Sequence, residues 1–477
     1  MRGGAVTLTA QTAKLVLNLA FLAVLARLLT PDDFGILAMA TVFVGFATQL
    51  KDLGLSTATL QSRSISHSQV STMFWLNLAF SAALALLMAL LGPLIASFYD
   101  NSALIELVYV LALGIFVSGA GSQHLALLRR QMAFRSLATC EVFALAAGGV
   151  VGITMAYAGA GFWSLAAMNV TQLLATSLAA YYFCPWMPGR PSFDAGSVRM
   201  IHFGSNLALF NIVNYVTRNA DDALVGRYAG EAALGAYARA YGLLMLPMRQ
   251  LSAPVKAVVL PALSRLQDDA VEFRAYFLKA VEVLALLTMP VVIVMGVLAD
   301  EIVLLVMGPQ WGFAAELFKV FVIFAFFQAI PIAGTWTMTA LGRSDRVLKW
   351  GTLQAVIAVP VFVAGLPWGA MGVAVAATSM ALVMMGPALA YALHASPIRF
   401  GDVLKAVRVP VMLSASLLAA LLPIDYMMGG SAYLWRIVVI GLAAGTYLAA
   451  AFALVSRLRE DLIYFISFVR GRSGLAS

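Results

Sequence analysis

Long apolar runs separated by short polar segments extend over nearly the whole chain. The runs are unbroken over helix lengths and do not alternate with polar positions, which excludes the strands of a membrane β-barrel. At roughly 20 residues per crossing, the chain has room for about fourteen membrane helices. We place them at residues 4–28, 34–55, 73–96, 102–122, 139–158, 161–183, 201–226, 234–260, 277–298, 314–340, 349–366, 369–393, 409–424 and 433–456. The predicted fold class is an all-α polytopic membrane protein.

The seventh predicted span carries charges in the middle of apolar sequence. Its polar residues are three or four positions apart, so they form one stripe of an α-helix. They are Asn211, Asn214, Arg218 and Asp221, with Asp222 beside them. A charge at the bilayer centre costs about 2.5 to 3.5 kcal/mol on insertion scales, so these charges must be paired or face water inside the protein. We therefore expect this helix to form one wall of a polar cavity.

A second copy of the stripe lies 200 residues earlier in the chain. Gln11, Lys14 and Asn18 occupy the positions that correspond to Asn211, Asn214 and Arg218. The register continues without a gap through Ala23 and Ala223, Arg27 and Arg227, Gly35 and Gly235, Ala38 and Ala238, and Ala40 and Ala240. This pattern predicts an internal repeat of two halves, as in many transporters whose substrate site lies between the repeats.

The spans and the repeat together predict the domain organisation. We expect two pseudo-symmetric six-helix bundles at 1–183 and 201–394, joined by a cytoplasmic loop at 184–200 that is rich in Pro and Gly. An additional helix pair at 395–456 has no counterpart in that scheme. The basic, amphipathic tail at 457–477 is typical of a segment that lies on the cytoplasmic membrane surface.

Composition and charge agree with this class. The chain is 62% hydrophobic and 11% charged, with a mean hydropathy of +0.92, so it has too little polar surface for a soluble globular protein. Of the 30 Lys and Arg, 21 fall in alternate connections and both termini, and 3 fall in the other connections. The positive-inside rule then places both termini in the cytoplasm. We interpret Arg129, Arg130 and Arg135 as a topology anchor, with which Glu141 is expected to pair.

Two hairpins carry a family resemblance. They are LARLLTPDDFGILAMATVFVGFATQLKDLGLSTATLQ at 25–61 and DDALVGRYAGEAALGAYARAYGLLMLP at 221–247. The first closely resembles the polysaccharide exporters of the MOP superfamily, the Wzx-type flippases for lipid-linked oligosaccharides, whose first hairpin commonly reads LAR-L-TP-DFG followed by DLGL. The resemblance covers essentially the whole chain. It implies a bacterial inner-membrane protein that moves precursors of lipopolysaccharide or exopolysaccharide by alternating access.

Enzyme motifs are missing from the sequence. There is no GxxxxGK[ST] phosphate loop, and the four histidines lack the spacing of metal ligands. The paired acids lie in turns or in the tail, and the connections are too short to hold the acids and acceptor site of a glycosyltransferase. We therefore expect no enzymatic activity, no cofactor, no metal and no nucleic-acid partner.

The charged groups inside the spans are mainly basic, which favours an anionic ligand, because Arg matches phosphate oxygens bidentately. The predicted substrate-binding residues are Lys14, Asn18, Gln49, Asn211, Asn214, Arg218 and Arg249. Arg239 and Lys256 are further candidates for a basic lining, although both could instead reach the interfaces. Asp221 and Asp222 are predicted to hold Arg218 or to take up a coupling cation. Pro247 and Pro254 are expected to kink or locally open the eighth span.

Three functional hypotheses remain at this point. The first is a flippase for a lipid-linked oligosaccharide, working beside glycan polymerases or glycosyltransferases. The second is a cation-coupled multidrug antiporter of the same superfamily, which would need membrane-embedded acids. The third is a scaffold for a glycan assembly complex, which gives no reason for the insertion cost of the polar stripes.

Overall fold

The computed structural model describes residues 2–51, 54–62, 65–192, 215, 218–429 and 432–454. Within these residues, eleven helical segments are long and apolar enough to cross a membrane, and no residue is in a strand. The all-α polytopic class is therefore confirmed. The count of about fourteen spans stays a prediction.

The helices follow the predicted order. The first seven are α1 Arg2–Leu28, α2 Pro31–Leu50, α3 Leu55–Gln61, α4 His67–Tyr99, α5 Ala103–Arg130, α6 Phe134–Tyr157 and α7 Phe162–Phe183. Helix α8 is described over 218–229. The others are α9 Glu231–Arg265, α10 Ala270–Val297, α11 Ala299–Met307, α12 Gly312–Phe327, α13 Ala329–Ala340, α14 Ser344–Gly365, α15 Gly369–Leu393, α16 Phe400–Met427 and α17 Tyr433–Leu454. Short 3-10 turns lie at Pro309–Trp311 and Leu366–Trp368.

The chain divides into two compact units. The first contains Met1–Ala238 and Val306–Gln310, and the second contains Arg239–Leu305 and Trp311–Ser477. The division falls inside α9. The predicted domain boundaries stay predictions.

Local chemistry sets the start of α2. Pro31 occupies the first turn of the helix, where its missing N–H is not needed. Thr30 Oγ1 accepts a hydrogen bond from the Asp33 N–H at 3.3 Å, and Asp33 Oδ2 accepts one from the Thr30 N–H at 2.9 Å. This reciprocal capping satisfies two orphan donors and puts acids at the positive end of the helix dipole.

Close helix packing in the first unit depends on the glycines of α6. A Cβ at Gly148 would lie 2.7 Å from Met168 O of α7, and one at Gly149 would lie 2.3 Å from the Phe21 ring of α1. A Cβ at Gly152 would likewise lie 2.9 Å from the Cβ of Met168. Side chains at these positions would push α1 and α7 away from α6, so the glycines allow these helices to pack closely.

The described part of the inter-repeat loop is fastened to the first unit. The Gly189 N–H donates to Ser71 Oγ at 2.9 Å, and Trp75 Nε1 donates to Gly189 O at 2.9 Å. Cys184, just after α7, is buried and has no disulfide. Burial raises the pKa of its thiol, so Cys184 behaves as a small neutral core residue.

Helix α10 lies in a large hydrophobic core cluster of the second unit, and ion pairs fasten α16 and α17 to that unit. The core cluster around α10 includes Phe273, Phe277 and Trp336. Arg436 of α17 lies with Nη1 2.6 Å from Glu301 Oε1 of α11, and its Nη2 pairs with Asp425 of α16. Helix α11 is a short helix between α10 and α12.

Candidate functional site

Helices α2 and α9 cross where Gly35 meets Gly235, which we call the glycine crossing. A Cβ on Gly35 would lie 1.8 Å from Glu231 O, and one on Gly235 would lie 2.0 Å from Pro31 O. Gly35 and Gly235 are 200 residues apart, and so are Pro31 and Glu231. The contact is therefore reciprocal between equivalent positions, as across a two-fold axis. This geometry supports the predicted internal repeat.

Two turns lie close to the glycine crossing. Asn101, between α4 and α5, donates through Nδ2 to Glu231 Oε2 at 3.0 Å. Gln310, just before α12, donates through Nε2 to Ala26 O at 2.6 Å. Asn101 thus holds the start of α9, and Gln310 holds the end of α1, near this crossing.

Asp221 is bound across the hairpin that joins α8 to α9. Tyr237 Oη donates to Asp221 Oδ2 at 2.8 Å, and the turn is closed at Gly230, where φ is +88°. Among the described residues, no ion pair joins Asp221 to Arg218. Tyr237 was not predicted as the partner, although Asp221 and Tyr237 lie nine and seven residues from Gly230, at a similar distance on either side of the turn.

Tyr215 connects the polar stripe of α8 to α2. Its hydroxyl donates to the carbonyls of Thr41 and Val42, each at 3.0 Å. This contact requires Gly45, where a Cβ would lie 2.3 Å from the hydroxyl. Gln49, one turn beyond Gly45, and Arg218, one turn beyond Tyr215, are both exposed. Two predicted site residues thus lie on helices that contact each other, while Asn211 and Asn214 lie outside the described residues.

Lys14 forms an ion pair with Glu141, because α1 packs along α6. The expected pairing of Glu141 with the basic cluster on α5 and α6 is wrong. Arg130 of that cluster instead donates to Thr59 O at 2.8 Å and to Ser62 O at 2.6 Å, at the end of α3. Asn18 is one turn from Lys14 on the same stripe of α1 and is exposed.

The remaining candidates lie on α9, in the second unit. Arg249 and Lys256 are exposed and Arg239 is half-buried. Prolines 247 and 254 do not end the helix, which runs as one element from Glu231 to Arg265. The predicted opening of the eighth span at these prolines is therefore wrong, while a kink stays a prediction.

The charges inside the described spans are unequal in their pairing. Three of the acids have partners: Glu141 pairs with Lys14, Glu282 with Lys279, and Asp221 with the Tyr237 hydroxyl. The cations Arg218, Arg249 and Lys256 hold no ion pair with any residue that the structure describes. No group of three or more metal-ligating side chains occurs in the described part of the chain. On α8 and α9, the charged side chains that are exposed are thus all positive.

Long apolar helices, a reciprocal crossing between equivalent positions and accessible cations within the spans are features of a membrane transporter built from an internal repeat. Residues 24–316 match the family described as polysaccharide biosynthesis protein. Because this match covers more than half of the 477 residues, the chain belongs to that family. The resemblance to the polysaccharide flippases of the superfamily is confirmed.

Known proteins agree with this assignment. The lipopolysaccharide biosynthesis protein WzxC of Escherichia coli (strain K12) is 27% identical over 366 residues, which cover 75% of this chain and 73% of WzxC. The lipid II flippase MurJ, in an inward closed conformation, has a TM-score of 0.73 at 14% identity, covering 94% of this chain and 98% of MurJ. An inward-facing multidrug resistance MATE transporter has a TM-score of 0.65 at 16% identity, covering 82% and 97%. At these identities, the two solved structures show the fold alone.

Proposed function

We propose that this protein is a flippase that translocates a lipid-(pyro)phosphate-linked oligosaccharide, or a related polysaccharide precursor, across the bacterial inner membrane. Both termini would be cytoplasmic. Family membership supports the polysaccharide pathway, and WzxC is named for lipopolysaccharide biosynthesis. The enzymes that precede and follow it would be a glycosyltransferase and a glycan polymerase, because the cargo must be assembled on its lipid and then transferred.

The observation that carries the proposal is the unequal pairing of charges inside the spans. Arg218 and Arg249 are exposed, and neither has an ion-pair partner among the described residues. Each unpaired charge would cost about 2.5 to 3.5 kcal/mol facing lipid, so both arginines are expected to face water or an anionic ligand. A guanidinium binds a phosphate through two parallel hydrogen bonds, and that geometry suits the head of a lipid diphosphate.

The other predicted residues then take consistent roles. Lys14 would join Arg218 and Arg249 at the phosphates, in competition with its present partner Glu141. Asn18 and Gln49, with Asn211 and Asn214 from the seventh span, would hydrogen-bond the sugars. Asp221 and Asp222 would position α8 or take up a coupling cation, and Arg239 and Lys256 would add basic lining.

Alternating access would use the repeat. Equivalent positions meet at the glycine crossing, so the two hairpins can separate and close again as equivalent surfaces. Separation of α2 from α9 would open one end of the translocation path for the cargo. Closure would restore the contact between the two helices that the structure describes.

The multidrug antiporter is the second candidate, because a MATE transporter shares the fold. A cationic drug needs an accessible acid. Glu141, Glu282 and Asp221 are each held by a partner in the same unit, whereas the exposed charges on α8 and α9 are positive. The charge pattern therefore favours the flippase.

The test is complementation of a strain that lacks the chromosomal gene. Arg218→Ala and Arg249→Ala should each abolish the surface polysaccharide at matched membrane abundance, with lipid-linked precursor accumulating inside the cell. Arg227→Ala is the matched control, because Arg227 is exposed at the α8–α9 turn, where it stacks on Tyr228 at 5.9 Å. Full polysaccharide in both site variants would reject the assigned site. Altered sensitivity to cationic dyes with normal polysaccharide would favour the antiporter.

A further inference from the structure

A cavity of about 670 Å³ lies between the first halves of α10 and α16, in the second unit. Four cations line it, and we call it the basic groove. They are Arg274 and Lys279 from α10, and Lys405 and Arg408 from α16. The predicted cargo-binding residues lie on other helices, so none of them lines this cavity.

The charges of the basic groove do not cancel. Arg274 donates to both carboxylate oxygens of Asp402, at 3.0 and 2.7 Å. Lys279 Nζ lies 3.7 Å from Glu282 Oε2. Each acid of the groove is thus matched by one cation. Lys405 and Arg408 are exposed, and the structure records no ion pair or hydrogen bond from either to a described residue. The groove therefore keeps two positive charges available for a ligand.

Apart from its charged residues, the lining of the groove is apolar. Leu278, Val409 and Met412 face the same cavity as the cations, and Met412 is 58% exposed. Positions 405, 408, 409 and 412 are three or four apart, so one face of α16 presents cations first and apolar groups next. The lining contains no hydroxyl or amide side chain. This order matches a charged headgroup followed by hydrocarbon, and it does not match the many hydroxyls of a sugar.

The groove also lies at the basic ends of its helices. Arg399, the residue before α16, and Arg265, the last residue of α9, belong to the connections that the positive-inside rule assigns to the cytoplasm. Anionic phospholipids concentrate their charge at that surface, and basic pockets between helices bind their headgroups.

We propose that the basic groove binds an anionic glycerophospholipid of the cytoplasmic leaflet. Arg408 and Lys405 bind its phosphate, and its acyl chains pass along Leu278, Val409 and Met412. The lipid fills the wedge between α10 and α16 and so couples α16 and α17 to the anionic surface of the membrane.

Native mass spectrometry of the full-length protein, purified in a neutral detergent, tests this proposal. Phosphatidylglycerol is titrated against Lys405→Gln/Arg408→Gln and against the unchanged protein. At roughly fivefold for each cation near an anionic lipid, the double variant should bind phosphatidylglycerol about 25-fold more weakly. The matched control is Arg265→Gln/Lys349→Gln, which removes the same charge from exposed positions outside the groove and should bind as the unchanged protein does.

Three results would overturn the proposal. One is equal affinity of the groove variant and the control. Another is equal binding of phosphatidylcholine by the unchanged protein, which would remove the need for a net negative headgroup. The third is a groove-dependent preference for undecaprenyl diphosphate over phosphatidylglycerol, which would assign the cavity to cargo. An unchanged melting temperature of the variant in lipid-free detergent establishes that it folds, and complementation with Arg218→Ala tests the transport function separately.

Discussion

The glycine crossing makes a prediction that can be worked out from its distances. In Gly235→Ala, the new Cβ would start 2.0 Å from Pro31 O. An ordinary C···O contact is about 3.3 Å, so α2 and α9 must separate by about 1.3 Å at this point. Overpacking of this kind costs about 1 to 3 kcal/mol. We therefore expect a fall of about 5- to 150-fold in the population of the described arrangement relative to states in which α2 and α9 are apart.

Gly35→Ala should act in the same way, because its Cβ would start 1.8 Å from Glu231 O. One separation of the helices relieves both clashes, so the double variant should cost less than the sum of the single variants. Gly242→Ala is the matched control. It adds the same methyl group to α9, but nothing lies within 4 Å of that position, so it also corrects for the higher helix propensity of alanine.

Cross-linking of Asn101→Cys to Glu231→Cys measures the population directly. The two native side chains are 3.0 Å apart, and the buried free cysteines can be replaced in the background as Cys140→Ala and Cys184→Ala. With a short bifunctional thiol reagent, the cross-linked fraction should fall in Gly235→Ala and stay high in Gly242→Ala. Equal fractions in these two variants would refute the reasoning, since the crossing would then tolerate a side chain.

Two ion pairs give the remaining predictions. Arg436→Gln leaves Glu301, which is 4% exposed, without its partner, so the melting temperature should fall by the equivalent of about 3 kcal/mol. The double variant Arg436→Gln/Glu301→Gln should recover most of that loss. A double variant no more stable than Arg436→Gln would contradict this prediction. For Lys14 and Glu141, whose side chains are 32% and 40% exposed, screening limits the loss of stability to about 1 kcal/mol. Transport should nevertheless fall in Lys14→Gln and persist in Glu141→Gln, because only the first removes a cation from the cargo site. Equal losses would make the pair structural.

Much of the helix pattern was predictable from local sequence. The start of α2 depends on Thr30, Pro31 and Asp33, which are consecutive or nearly so and cap the same turn. The short helix α11 is likewise visible as an apolar run that begins with acids. These features are decided within a few residues of the chain, so their prediction needs no knowledge of the neighbouring helices.

Partner choice was not predictable in this way. Glu141 was expected to pair with nearby arginines, yet its partner is Lys14, 127 residues away. The helical period places Lys14 on a stripe, but the packing of α1 on α6 decides which acid that stripe meets. Arg436 shows the same dependence, because Glu301 and Asp425 belong to two other helices.

The sequence by itself determined the membrane class, the approximate spans and the 200-residue repeat, because transfer into a bilayer and helical periodicity are properties of contiguous segments. Only the tertiary structure decided that Gly35 and Gly235 touch, that Asp221 is bound to Tyr237, and that Lys405 and Arg408 share an apolar-floored cavity with α10. These outcomes depend on the rotation and depth at which separate helices pack, and no single helix encodes either one.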